Sequence, residues 1–104
     1  MNFSTEQTRH EAKRREQRFV HMAVAGRIND AGQLLMAAET FLQRGLDAGL
    51  DRAYLSDAAK GFHDAVTNLV ADMNRDLDEA HLDDQTVALN LTELDALIAE
   101  IEKP

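Results

Sequence analysis

The side chains that could do chemistry are few, and they are scattered. The chain has four histidines, His10, His21, His63 and His81, and no cysteine. Without thiols there is no disulfide framework, no thiolate metal site and no cysteine nucleophile. A carboxylate-bridged metal centre in a helical bundle needs paired Glu-x-x-His motifs plus two more inward-facing Glu. No Glu here has a His three residues later. Asp78-x-x-His81 comes nearest, and it occurs once. Glu6 and His10 stand four apart in a polar stretch, the spacing of a surface pair on a helix. Ser4 and Ser56 lack the glycine-rich surroundings of a nucleophile elbow, and no phosphate-binding loop or dinucleotide fingerprint is present. We therefore expect no catalytic, cofactor-binding or metal-binding residues, and a protein that is not an enzyme.

Charge is the chemistry that does have a pattern. Residues 1–27 carry six Lys/Arg against three Glu, and residues 28–104 carry five against sixteen Asp/Glu. The basic run, Arg9 to Arg18, contains Lys13, Arg14, Arg15 and Arg18 with Glu11 and Glu16 between them. Such a run suits an anionic partner. It suits nucleic acid less, because acids are interspersed and no aromatic is interleaved for base stacking. Further along, Asp72, Asp76, Asp78, Glu79, Asp83 and Asp84 crowd together. They read either as a solubilising face or as a surface that imitates phosphate spacing and blocks a basic groove.

Helices must position these groups. Ser4 and Gln7 have capping-box spacing, so a first helix is expected from about residue 5. Val20, Val24, Ile28, Ala31, Leu35, Ala38 and Leu42 step by three or four, one apolar helical stripe. The stripe keeps its phase through Gly26 to Gly32, which predicts a continuous helix, kinked or split there at most. Arg44-Gly45-Leu46 reads as its end, with Gly45 as the cap. Asp51 then caps a second helix over 52–80, whose apolar face includes Leu55, Ala59, Phe62, Val66, Leu69, Met73 and Leu77. A third helix is expected over 84–102, capped by Asp83 or Asp84, with Val87, Leu91, Leu94, Ile98 and Ile101 as its seam. An Asn90-x-x-Glu93 box allows a late start at 91 instead. The expected fold is all-α: an antiparallel helical hairpin plus a third helix, a three-helix bundle. Residues 1–18 would form a polar basic arm and 19–104 the bundle domain.

Apolar residues exceed one seam. Leu34, Leu35 and Met36 with Phe41 and Leu42 span more than one face of the first helix, and Leu82, Leu89 and Leu97 lie off the seam of the third. Breadth of this kind signals a partner. We expect a small acidic protein–protein interaction module, a regulator, adaptor or inhibitor. Its partner is another protein, and the chain also pairs as a homodimer. The contact residues would be Arg14, Arg15, Arg18, the six acids from Asp72 to Asp84, Leu34, Leu35 and Leu97. Two alternatives are a nucleic-acid-associated protein using the arm at 9–18, and an acidic decoy of the kind phages encode. No apolar run reaches the ~18–20 residues that span a bilayer. No apolar signal core opens the chain. A cytoplasmic protein without a membrane contact is the expectation.

Overall fold

Helix formation follows the stripes. The computed structural model describes residues 2–82 and 85–104, with side chains from Gln7 onward. Among them are three helices and no strand: α1 (Asn2–Asp47), α2 (Arg52–Glu79) and α3 (Thr92–Glu102). All three pack on one another as a three-helix bundle. At 1.5 Å per residue α1 is about 69 Å long. It sets the length of the molecule, 73 × 17 × 17 Å. The radius of gyration, 19.7 Å, far exceeds the ~13 Å of a compact chain this size.

α1 is helical without a break through residues 26–32. A Cβ added at Gly26 or Gly32 would meet nothing within 4 Å, so neither glycine is needed for packing. Ser4 lies inside the helix, since α1 already starts at Asn2. The end of α1 also differs from expectation. Gly45 is an interior helical residue, and Gly49 is the left-handed cap at φ 73°. Leu50 N–H reaches Gly45 O at 3.0 Å and Gly49 N–H reaches Leu46 O at 3.1 Å, the paired bonds of a Schellman motif. Gly45 is there for space. A Cβ at that position would stand 2.6 Å from Leu55 Cδ2.

These glycines make a discriminating test. Gly26→Ala and Gly32→Ala should each stabilise the fold by about 0.5–1 kcal/mol. Gly45→Ala should destabilise it, because Leu55 is fully buried and has little room to move. Urea melts of the three variants check the signs. A gain at Gly45 would mean the hairpin is looser than drawn.

α2 begins at Asp51, whose side chain accepts from Ala53 N–H at 3.4 Å. It ends on a second Schellman pair, Leu82 N–H to Leu77 O at 2.8 Å and His81 N–H to Asp78 O at 3.0 Å. His81 takes the left-handed position at φ 59°, a place where glycine is the common residue. The chain then returns along the hairpin. Asp83 and Asp84, expected as caps for a helix from 84, lie outside the described residues. Residues 85–91 are not helical, and α3 starts late, at Thr92, with Asn90 Oδ1 accepting from Thr92 N–H at 3.0 Å.

Distance explains the late start. Ile101 packs in the same cluster as Leu55, some 24 residues back along α2 from Glu79, or about 36 Å. A helix over 84–102 would cover only about 28 Å. A non-helical chain can rise more per residue than a helix, so leaving 85–91 unwound and coiling only 92–102 lets the chain cover the longer distance.

The core has two parts. Leu35, Leu42, Leu55, Ala59, Val66, Leu94 and Ile101 fill the hairpin end. Val24, Ala31, Met73 and Leu77 fill the other. Leu89 packs against both, which joins them.

Candidate protein-interaction surfaces

Packing takes several expected contact residues out of reach. Leu35 is buried at 8% exposure, and Leu34 and Leu97 pack against the same cluster. Leu82 and Leu89, off any seam in the sequence, also join the core. The breadth of apolar residues in α3 and the non-helical segment before it is thus used within the chain, because both meet two helices at once. The exposed apolar surface is made by other residues, above all Met22 at 75%, Phe19 at 73% and Met36 at 68%, with Tyr54 and Phe41 behind them.

Two flanks of the hairpin can be told apart. On one flank α3 covers the junction. Asn74 clamps the returning chain there: its Oδ1 accepts from Val87 N–H at 2.8 Å, and its Nδ2 donates to Val87 O at 3.1 Å. Arg52 Nη1 donates to Glu100 O and Lys103 O, holding the end of α3. His63 stands 3.7 Å from Asp95. Glu39 of α1 meets Glu93 of α3, and its carboxyl is raised above the usual carboxylate range. Burial is the main cause, followed by a shared hydrogen bond and like charge from Glu93.

That shift fixes a sign. The ionised form of Glu39 is penalised in the fold. Its protonated form adds stability at low pH, and this is lost as pH rises through the raised value. Glu39→Gln should therefore raise the melting temperature at pH 7, and the advantage should vanish as pH falls below the ordinary Glu range. Equal gains at both pH values would show that charge is not the cause.

The opposite flank has no third helix. Phe41 lies two residues from Glu39 on the other side of α1. It meets Tyr54 and Phe62 of α2 edge-to-face, with ring centroids 6.4 and 5.8 Å away. Farther along, Arg27 Nη2 donates to Asp76 Oδ2 across the two helices. At the far end an open hollow of about 270 Å³ is lined by Glu16, Phe19, Val20, Ala23, Asp76 and Glu79, among others. The groove where α1 meets α2 on this flank therefore has the hollow at one end and the Phe41–Tyr54 pair at the other, with the Arg27–Asp76 pair crossing it.

Gln17 Nε2 donates to Ala80 O at 3.1 Å, so α2 ends level with Gln17. The α1 turns before it, about 22 Å of helix, run on past that end. Arg14 and Arg15 are exposed on this overhang and Arg18 just inside it, and with His21 and Leu82 they line a second open hollow. Arg15 has Glu11 at 3.9 Å.

The acidic cluster divides. Asp76 is held by Arg27, and Asp72 accepts from Arg75 at 3.0 Å. Asp78 and Glu79 are exposed, with no ion pair among the described residues. Asp83 and Asp84 lie outside the described residues. Among the described residues no helix is long and apolar enough to cross a membrane, and no group of three or more His, Asp or Glu could hold a metal ion. No protein-family model matches the chain, and neither a curated protein nor a solved structure does.

Proposed function

We propose that this chain is a non-enzymatic protein-interaction module that receives a partner's helix in the groove between α1 and α2. The observation that carries the reading is the uncovered flank itself. It has the exposed aromatic side chains Phe19, Phe41 and Tyr54 along one side of a helical hairpin whose other side is filled by α3. Phe19 and Ala23 at one end of the groove and Ala37 and Phe41 at the other each stand four residues apart, and alanines let a helix approach closely. A fourth helix would complete a four-helix arrangement, and helix-in-groove recognition needs an apolar seam of this kind.

Photo-crosslinkers at Ala23 and Ala37, both exposed, test the reading. Each should capture a protein, while a crosslinker at Asp57 on the solvent side of α2 should not. Equal labelling from all three positions would sink it.

The exposed arginines of the overhang favour one second reading, nucleic acid bound along the arm. Such binding weakens steeply as salt rises, whereas binding in an apolar groove hardly changes. The decoy reading draws less support, because Asp72 and Asp76 are already paired within the chain.

A further inference from the structure

We infer that the helix entering this groove is the basic arm of a second copy of the chain, inserted reciprocally. The inference rests on the groove being a docking surface and names its occupant.

Three observations converge. The first is the register of α1. Phe19 and Ala23 line the hollow at the end of the groove. Ala12 and Arg15 precede Phe19 by seven and four residues, so they share its side of the helix. The arm therefore presents a small residue and an arginine, with Glu16 beside them, in line with Phe19, the most exposed aromatic side chain among the described residues.

The second is charge. Residues 7–18 hold five Lys/Arg against two Glu, whereas the last turns of α2 hold Asp72, Asp76, Asp78 and Glu79 against Arg75. Glu79 borders the hollow and has no ion pair among the described residues. Within one chain the arm runs past the end of α2, so most of its charge cannot lie along these acids.

The third is length. The arm from Gln7 to Glu16 is about 15 Å long, the length of α2 from Leu69 to Glu79. A twofold axis level with Gln17 and Arg18 sets α1 antiparallel to its partner, with the two Phe19 side chains on either side of the axis and the arm of each copy alongside residues 69–79 of the other. Arg15 of each copy then faces the partner's Glu79. Complementary patches side by side on one surface pair twice under such an axis.

This arrangement also accounts for a helical arm with a single apolar side chain, Ala12, among residues 7–18. A lone polar helix of that length is marginal in water, and the partner's groove supplies the missing contacts.

Charge exchange tests it. Sedimentation equilibrium of the full chain should return twice the 11.6 kDa chain mass, with dissociation strengthening several-fold from low to high salt as exposed pairs are screened. Arg15→Glu alone and Glu79→Arg alone should each give monomers with unchanged circular dichroism. Mixing the two variants should restore a dimer containing one of each, because both junctions then pair opposite charges. A wild-type monomer at every salt, or a dimer indifferent to both substitutions, overturns the inference. Crosslinks from Ala23 to a different protein in a monomeric wild type would leave the groove reading standing and remove only the self-pairing.

Discussion

Leu94→Ala is expected to be the most damaging single substitution in α3, at about 2–5 kcal/mol. Leu94 is fully buried and projects from α3 into the cluster formed by Leu35, Leu42, Leu55 and Val66. Truncation leaves a cavity walled by two other helices, so little can collapse into it. That loss is a large part of the ~5–15 kcal/mol that holds a small domain together. Phe62→Ala is the informative comparison. Its position in the α2 stripe marks it as a core residue, yet in the fold it is only half-buried, edge-on to Phe41 at the open groove. It should cost less than Leu94→Ala despite the larger side chain. Denaturant melts of both variants decide. The reverse order would mean that a partner, or a second copy, already covers the Phe62 side in solution.

Asn74→Ala should cost about 1–3 kcal/mol, far more than an ordinary half-exposed polar residue on a helix. Asn74 supplies both a donor and an acceptor to the backbone of Val87, in place of the helical bonds that the non-helical segment lacks. Alanine strands a part-buried N–H and C=O together. Asn74→Asp separates the two halves. It keeps the acceptor for Val87 N–H, loses the donor to Val87 O, and should fall between wild type and alanine. Amide exchange at Val87 gives a local readout: protection should vanish in Asn74→Ala and persist in part in Asn74→Asp. If protection survives in the alanine variant, the returning chain is held by Leu89 and Leu91 packing and the clamp is incidental.

Much of this architecture can be read from spacing alone. Helix periodicity is a local property, repeated over many turns, and the stripes in α1 and α2 state it redundantly. The unbroken α1 follows because two glycines cost far less than the phase-matched apolar residues on either side of them contribute. Asp51 announces α2 for an equally local reason, since one carboxylate satisfies the free N–H groups of the first turn. The Asn90 signal for a late α3 was also legible, but it competed with Val87 and Leu91, which fit a helical seam equally well.

The amino-acid sequence by itself determined three helices, their order, an antiparallel hairpin and a separation of charge along the chain. Each of these depends on residues within a few turns of one another. Only the tertiary structure decided which apolar residues face water, that Gly45 is a contact glycine and Gly49 the cap, and that residues 85–91 are not helical. Leu35 and Phe41 lie on one helix and both are apolar. One is buried and the other exposed because α3 lies on one flank of the hairpin and none of the described residues covers the other. The position of α3 is set by the length it must cover to bring Ile101 to Leu55, and by Asn74 catching Val87 thirteen residues away. Those are long-range distances, and no local spacing encodes them.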